Sequence, residues 1–317
     1  MGDGKQKPGE AAGLKSRHWS SVTEVGTALG LGFLYQVYRL FGRWPFRIAL
    51  WPVLFYFVAF KGEQRRASMD FLRRCGLKPS AWLSFRHFSS FAESMLDKLI
   101  AWNGGIRLKD VDFEGREDVA RRMAAGQGVM FIGSHLGNLE ITRALSLERA
   151  NFEIRVLVHT RHAENFNRLI HRLNPEARVN LQQVSTLGVG EAAGLSEALQ
   201  HGESIIMAGD RSPIGGGRIV RAAFLGEEAD FAQGPWVLAA LLGAPVYLIF
   251  CLREGGRYRV IVEPFAEKIS LPRGDRSEAI RALAEKYAAR LEFHALSSPL
   301  QWFNFYSFWH KHEQNAA

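Results

Sequence analysis

A histidine and a glutamate stand five positions apart near the middle of the chain, at His135 and Glu140. Histidine changes charge near neutral pH, and a carboxylate beside one ring nitrogen leaves the other nitrogen available as a base. Inside one regular helix, residues five apart point about 140° away from each other. The two side chains can therefore meet only if His135 lies in a turn before a helix, with its ring folded back over the first helical turn.

The residues around His135 predict such a turn. The apolar run 129–132 has the length and character of a buried strand, Gly133 and Ser134 interrupt it, and a helix is predicted over 136–149. We expect Gly133, Ser134 and Asn138 to shape the turn, with backbone donors near Gly133. Strand ends are where α/β folds place chemistry. The alternative is that the histidine and the glutamate form an ordinary surface pair.

A second polar group follows the apolar run 204–208, where Asp210 and Arg211 open a loop that is rich in glycine and contains Arg218. Such a loop can bring N–H groups and guanidinium groups to a phosphate, although an ordinary flexible hairpin is the alternative. Arg161 also follows a predicted strand. His159 and His162 stand three apart, but no third ligand accompanies them, so no metal site is predicted.

Strands alternate with helices along most of the chain, which predicts an α/β fold with a mixed β-sheet flanked by helices. The last two strands are expected to pair antiparallel across residues 254–256. The predicted strands are 106–116, 129–132, 153–158, 204–208, 246–252 and 258–262. The predicted helices are 61–74, 80–102, 117–125, 136–149, 163–173, 190–201, 231–242 and 277–296.

The N-terminal part predicts contact with a membrane. Residues 1–20 are predicted to be a mobile basic tail, and residues 21–62, predicted to be membrane-associating helices, contain two apolar runs flanked by arginine and tryptophan. The second run has about 15 residues, too few to cross a hydrocarbon core about 30 Å thick. We predict helices that dip into one leaflet. A single spanning helix and a hairpin that covers the enzyme's own core are the alternatives. Residues 63–317 are the predicted catalytic domain.

Composition narrows the classes of partner. The 317 residues carry a net charge of +8 with a pI near 9.6, which suits an anionic membrane surface, an acidic carrier protein or a phosphorylated substrate. No nucleic-acid-binding signature is present in the sequence, so nucleic acid is not predicted as a partner. The two cysteines, Cys75 and Cys251, do not make a disulfide framework, which favours a reducing compartment.

The segment GSHLGNLE resembles the His-x4-Asp/Glu motif of the lysophospholipid acyltransferase superfamily, and in particular that of bacterial lipid A biosynthesis (lauroyl/myristoyl) acyltransferases. The resemblance covers residues 65–309 and includes the segments 159–170, 208–211, 222–226 and 234–246. It implies a glycerolipid acyltransferase-like fold and an enzyme on the cytoplasmic face of the bacterial inner membrane. That enzyme would move an acyl chain from acyl carrier protein or acyl-CoA to a hydroxyl of a lipid or glycolipid.

The resemblance also implies roles for particular residues. His135 would be the base and Glu140 would hold its imidazole, with backbone donors or an arginine stabilising the oxyanion. No cofactor beyond the acyl thioester and no metal are implied. The remaining substrate-binding candidates are Gly133, Ser134, Asn138, Arg161, Asp210, Arg211, Arg218 and Phe224.

The acceptor stays open at this stage. Lipid A enzymes usually carry a basic Trp-x-His-x-Arg ending, whereas this chain has an aromatic cluster over residues 299–310 that includes QWFNFY. In this respect the chain is closer to acyltransferases of other lipid, glycolipid or aryl-polyene pathways. The alternative is that the cluster is simply a lid on the core. A thioesterase or lipase that uses water, and a non-catalytic membrane-binding relative, are the alternative functions.

Overall fold

The fold comes from a computed structural model that describes residues 25–146, 154–158, 181–183, 189–211 and 217–309. Its helices are α1 (Val25–Phe41), α2 (Arg43–Phe60), α3 (Gly62–Arg74), α4 (Ala81–Trp102), α5 (Glu117–Ala124), α6 (Leu139–Ser146), α7 (Val189–Gln200), α8 (Gly234–Leu242) and α9 (Arg276–Ser297). Its strands are β1 (Val111–Glu114), β2 (Met130–Gly133), β3 (Ile154–Val158), β4 (Leu181–Gln183), β5 (Ser204–Ala208), β6 (Ile219–Phe224), β7 (Glu227–Ala232), β8 (Val246–Glu254) and β9 (Arg257–Ala266).

A seven-stranded mixed sheet forms the centre of the described fold, in the order β1-β9-β8-β2-β5-β3-β4. Strand β2 lies between β8 and β5 and runs parallel to both. Strands β8 and β9 pair antiparallel, as the sequence predicts. The predicted α/β architecture with a mixed sheet is therefore confirmed, and the strand before His135 is placed among buried neighbours.

Helices cover both faces of the sheet, and β2 contributes to both layers because successive strand side chains point to opposite faces. Met130 and Ile132 pack in the cluster that contains α7, α8 and α9. Phe131 packs in the other cluster, together with buried residues of α2, α4, α5 and α6. Burial on two faces explains why this strand is a continuous apolar run rather than an alternating one.

Helices α1 and α2 lie against α4 and present an apolar outer side. Phe46, Leu50 and Leu54 are buried at helical spacing, whereas Trp44 and Trp51 on the same helix are exposed. The inner side therefore covers part of the core, as one of the predicted alternatives states. Along the described residues, no helix has both the length and the apolar character that a bilayer crossing requires.

Three predicted elements have different boundaries in the structure. The predicted helix over 231–242 begins only at Gly234, because Phe231 and Ala232 pair with β6 in an antiparallel hairpin. Helix α6 begins at Leu139 instead of residue 136, because Leu136 pairs with Trp302. The predicted strand over 106–116 is regular only in β1. The predicted tail over 1–20 and helix over 163–173 lie outside the described residues.

Candidate active site

The register between β2 and β5 brings a histidine and an aspartate together. Gly133 pairs with Ala208 in these parallel strands, and His135 and Asp210 each follow two residues later. His135 Nδ1 lies 2.7 Å from Asp210 Oδ1, and the backbone N–H of His135 donates to Asp210 Oδ2 at 2.7 Å. The two carboxyl-terminal strand ends thus form a bidentate contact between the imidazole residue and the carboxylate.

Asp210 is fully buried and well supplied with donors. The indole Nε1 of Trp302 donates to its Oδ2 at 2.9 Å, and the Asn304 amide donates to its backbone oxygen at 3.2 Å. Burial by itself would raise the pKa of Asp210, but His135 and the charge of Arg211 keep that pKa below its usual value. The carboxylate is therefore ionised, and it accepts a hydrogen bond from the Nδ1–H of the imidazole.

The His135 imidazole is held as a neutral base. Burial lowers its pKa and so does Arg211, while Asp210 raises it; the net shift is downward. Because Nδ1–H is donated to Asp210, the lone pair lies on Nε2. The side chain is 30% exposed, so Nε2 can meet a substrate. The arrangement can accept a proton from a hydroxyl and stabilise the imidazolium that forms.

Backbone contacts fix the turn that carries His135. Gly137 N–H donates to Gln301 O at 2.8 Å, and Asn138 N–H donates to Cys251 O at 2.7 Å. Gly137 has φ +77°, and a Cβ there would lie 2.0 Å from Cys251 O. Only glycine fits this position, because a side chain would meet both a steric clash and an unfavourable backbone conformation. The turn is thus tied to β8 and to the C-terminal segment.

Glu140 contacts a different part of the site from the one predicted. It lies in the first turn of α6 and its carboxylate accepts hydrogen bonds from Trp102 Nε1 at 3.1 Å and Arg143 Nη1 at 2.6 Å. The Arg143 guanidinium also lies 5.4 Å from the Trp102 ring centroid. The predicted Glu140–His135 contact is therefore replaced by Asp210–His135, because α6 starts too late for Glu140 to face the ring and turns its carboxylate towards α4.

Gly133, Ser134 and Asn138 shape the turn, as predicted, but each is occupied by protein contacts. The Gly133 carbonyl accepts from Tyr287 Oη at 2.8 Å and from Gly209 N–H at 2.9 Å. Ser134 is buried and its hydroxyl accepts from the Leu136 N–H at 3.2 Å. Asn138 is also buried, and its amide donates to Ser94 O at 2.9 Å. Among the described residues, Asn138 Oδ1 has no hydrogen-bond partner. The three residues support the turn, and their roles in substrate binding stay predictions.

Phe224 differs from its predicted role as a substrate contact. Its ring is fully buried and stacks on Trp309 with centroids 5.7 Å apart, and it packs edge-on against Trp302. The β6–β7 hairpin turns Phe224 inward because it alternates with exposed residues along β6. Its contribution to the site is indirect, since it supports the indole that donates to Asp210.

The arginines predicted for substrate binding have unequal positions. Arg211 donates from Nε to Asn304 Oδ1 at 3.1 Å, beside the His135–Asp210 pair. Arg218 is exposed at the start of β6. Arg161 lies outside the described residues, as do His159 and His162. Where the chain is described, no group of three His, Cys, Asp or Glu side chains is placed to bind a metal.

An apolar cavity of about 350 Å³ lies next to α6. Phe131 and Ile249 contribute from the sheet, Thr142 and Leu145 from α6, and Met123 from α5. It occupies the same layer of the fold as α6, which directly follows the His135 turn. A cavity of this lining suits a hydrocarbon chain rather than a polar group.

Several site residues could not be assigned from local sequence alone. Asp210 was predicted to bind substrate, yet its position two residues beyond a strand was already a signal that it could meet His135. Trp302 and Asn304 reach Asp210 from 92 and 94 residues away in the sequence, and no local pattern indicates those contacts. A lid on the core was the alternative interpretation of the aromatic cluster, and the cluster supplies these two donors.

Comparison with known proteins gives matches to one family. A family model described as bacterial lipid A biosynthesis acyltransferase matches residues 81–311, which include both His135 and Asp210. Two curated proteins are similar: the lipid A biosynthesis palmitoleoyltransferase of Escherichia coli (strain K12) and the lipid A biosynthesis acyltransferase of Shigella flexneri. Each is 23% identical over 210 residues, with 64% of this chain and 66% of the relative covered. The aligned region thus spans just under two thirds of each relative.

Proposed function

This chain belongs to the bacterial lipid A biosynthesis acyltransferase family, and we propose that it transfers a fatty acyl chain from a thioester to a hydroxyl of a lipid or glycolipid. The observation that carries this proposal is the His135–Asp210 contact at 2.7 Å, with Nε2 left as the base. Asp210 takes the orienting role that the motif spacing predicts for Glu140. The geometry suits acyl transfer because the reaction begins by removing a hydroxyl proton.

The proposed reaction uses the imidazole twice. His135 Nε2 takes the acceptor's hydroxyl proton as the oxygen attacks the thioester carbonyl, and Asp210 stabilises the imidazolium. The tetrahedral intermediate then expels the thiolate, which takes that proton back from Nε2 and leaves as a thiol. No acyl-enzyme is needed. Burial raises the pKa of the Cys251 thiol, and it raises the pKa of Cys75 to about 12, so neither thiol is prepared as a nucleophile.

The substrates and the location are part of the same proposal. The apolar cavity beside α6 is the proposed seat of the acyl chain. The donor is acyl carrier protein or acyl-CoA, both anionic, which matches the net charge of +8. The exposed aromatic side of α2 would contact the lipid surface on the cytoplasmic face of the inner membrane, with anionic headgroups drawn to the exposed Arg39 near the end of α1.

Purified protein with separate acyl-carrier-protein and acyl-CoA arms tests the reaction. Each arm receives extracted lipid or buffer alone, and mass spectrometry follows both acylated lipid and free fatty acid. The proposal expects an acylated lipid that requires acceptor and is lost in His135→Ala. Equal release of free fatty acid with and without acceptor, and no acylated lipid, would instead indicate a hydrolase.

Cells lacking the native gene identify the acceptor. One lipid or glycolipid class should lose a single acyl chain in the deletion strain, and wild type but not His135→Ala should restore it. Restoration by His135→Ala would contradict the proposed chemistry and favour a non-catalytic membrane-binding protein.

Vesicle sedimentation tests the membrane contact. Wild type should sediment with anionic vesicles more than with zwitterionic ones, and Trp51→Ser should reduce both. Trp236→Phe, which alters a fully buried tryptophan, is the matched control. Equal sedimentation of wild type and Trp51→Ser would contradict the assignment of the outer side of α2.

A further inference from the structure

The turn that carries His135 uses its own backbone donors internally. Acyl transfer needs a donor aimed at the carbonyl oxygen while negative charge develops there. The backbone N–H groups of residues 135–138 all have protein acceptors, which are Asp210 Oδ2, Ser134 Oγ, Gln301 O and Cys251 O in chain order. These four N–H groups are therefore already bonded within the protein, and a side-chain donor near the turn can take the role that they do not fill.

One face of α4 lies along the segment from His135 to Glu140. Ser94 O accepts from the Asn138 amide at 2.9 Å, and Trp102 Nε1 donates to Glu140 at 3.1 Å. Ser94 and Trp102 are eight residues apart, and Lys98 stands midway between them. Residues four apart lie on the same helix face, so Lys98 projects towards the same segment between these two fixed contacts.

The electrostatics agree with this placement. Burial lowers the pKa of Lys98, and Glu140 opposes that shift. Lys98 in turn contributes to lowering the pKa of His135. The ammonium group is thus close enough to influence both the base and the acidic residue of the His-x4-Glu motif.

Lys98 suits an oxyanion better than the neighbouring arginines do. Arg143 Nη1 donates to Glu140 at 2.6 Å and Arg211 Nε donates to Asn304 at 3.1 Å, so each planar guanidinium is fixed in its orientation. A lysine carries three donors on a rotatable stem and acts as a point charge, so it can follow a carbonyl oxygen as the trigonal carbon becomes tetrahedral.

We propose that Lys98 is a catalytic residue that binds the oxyanion of the tetrahedral intermediate, and that Glu140 is the positioning residue that holds Lys98 charged and in place. This inference rests on the proposed acyl transfer. As the acceptor oxygen bonds to the carbonyl carbon, the C=O π electrons move to the carbonyl oxygen, which accepts a hydrogen bond from the Lys98 ammonium. When the C–S bond breaks, the electrons return and the thiolate takes its proton from His135. Lys98 keeps its own protons throughout.

Steady-state kinetics with saturating acceptor test Lys98 directly. Lys98→Met should lower kcat by about 10² to 10³-fold while KM for the thioester changes by less than about threefold. Lys98→Arg should keep more activity than Lys98→Met because the charge remains. Lys268→Met is the matched control. This exposed lysine follows the end of β9 that lies beside the start of β2, at the opposite end of the strands from His135, and the kcat of this variant should equal that of wild type.

Two results would overturn the assignment. A kcat of Lys98→Met within about threefold of wild type would remove Lys98 from the reaction. A rise in KM with kcat retained would make Lys98 a contact for an anionic part of the substrate in the ground state. Thermal unfolding and circular dichroism of each variant check the fold, and Lys98→Gln replaces Lys98→Met in the same comparison if the latter does not fold.

The pH profile separates the two possible roles of Glu140. Since Glu140 raises the pKa of Lys98, Glu140→Gln should move the basic limb of kcat to lower pH and leave the acid limb in place. The double variant Lys98→Met/Glu140→Gln should have a kcat at most about threefold below that of Lys98→Met alone, because both changes act on one interaction. A shift of the acid limb alone in Glu140→Gln would show that Glu140 acts on His135 and would overturn the positioning role.

The same assay distinguishes failure of the inference from failure of the proposed function. If wild type forms no acylated lipid, or His135→Ala keeps the full rate, acyl transfer by His135 is wrong. If wild type is active, His135→Ala is inactive and Lys98→Met matches wild type, only the role of Lys98 is wrong.

Discussion

Two carboxylates are candidates for orienting the imidazole, and their contacts in the structure differ. Asp210 follows a strand, is fully buried and contacts both the ring and the backbone of His135 at 2.7 Å. Glu140 lies on a helix, five residues from His135, and contacts Trp102 and Arg143 instead. The residue that is near in sequence is bound to α4, whereas the residue 75 positions away orients the base.

The difference shows what sequence spacing can and cannot indicate. The spacing of His135 and Glu140 places one in a turn and the other on the following helix, but it does not say which way the helix turns its first residues. Strand register does decide a contact: Gly133 and Ala208 are paired, so the residues two beyond each must be neighbours. The site is thus organised by the sheet more than by the motif.

Asp210→Asn should have the largest effect. An amide cannot stabilise the imidazolium and favours the wrong tautomer, so kcat should fall by about 10³ to 10⁴-fold. Asp112→Asn, an exposed aspartate on the edge strand β1, is the matched control and should match wild type. If Asp210→Asn loses less activity than Glu140→Gln, the contrast between the two carboxylates is wrong.

Gly137→Ala tests how strongly the contact with Cys251 restricts the turn that carries His135. Its Cβ would lie 2.0 Å from Cys251 O, and we expect a loss of about 3 kcal/mol in the free energy of unfolding. Gly104→Ala has a similar φ of +72° but no atom within 4 Å of the added Cβ, so it should cost only about 1 kcal/mol. Denaturant unfolding measures both, and equal losses would mean that the contact with Cys251 is unimportant.

Trp302→Phe tests how much the indole hydrogen bond contributes to the role of Asp210. It removes the indole donor at 2.9 Å but keeps an aromatic ring, and kcat should fall by about tenfold as the carboxylate loses one charge-assisted hydrogen bond. Trp309→Phe removes an indole donor from the same aromatic cluster, where Nε1 bonds Phe224 O at 3.0 Å. An equal fall in kcat in the two variants would make the effect one of packing.

The acid limb of kcat/KM should show the smallest effect. Burial and Arg211 lower the pKa of His135, so activity should rise with pH through an apparent pKa below the usual value for histidine, about 6.5. Removing a positive neighbour raises a histidine pKa, so Arg211→Gln should move this limb to higher pH. Removing the negative neighbour in Asp210→Asn should move any residual activity to lower pH. Shifts in the reverse directions would contradict the placement of these charges.

Local patterns predicted most of the fold. Ser80 caps α4 by accepting from the Leu83 N–H, and the glycines after β8 predicted its antiparallel pairing with β9. The β6–β7 hairpin was missed because residues 231–242 read as one continuous apolar helix, although the first two of them pair with β6. Strand pairing decides that boundary, and no local propensity reports it.

The position of His135 in a turn after a buried strand was predictable, but the residues that contact Asp210 were not. His135 follows a buried strand, and that pattern was visible in the sequence. Trp302 and Asn304 reach Asp210 only after the chain has completed the sheet and α9. The strand order places β5 beside β2 and so brings Asp210, and not Glu140, to His135. The sequence alone does not give the strand order, so both carboxylates remain candidates when only the sequence is known.

Proton NMR of the His135 Nδ1–H tests the central claim most directly. A hydrogen bond from imidazole to a buried carboxylate should give a low-field resonance, assigned by its absence in His135→Ala. Our account predicts that this resonance persists in Glu140→Gln and shifts upfield or disappears in Asp210→Asn, with both variants folded. Loss of the resonance in Glu140→Gln, with retention in Asp210→Asn, would contradict the account and restore Glu140 as the partner of the base.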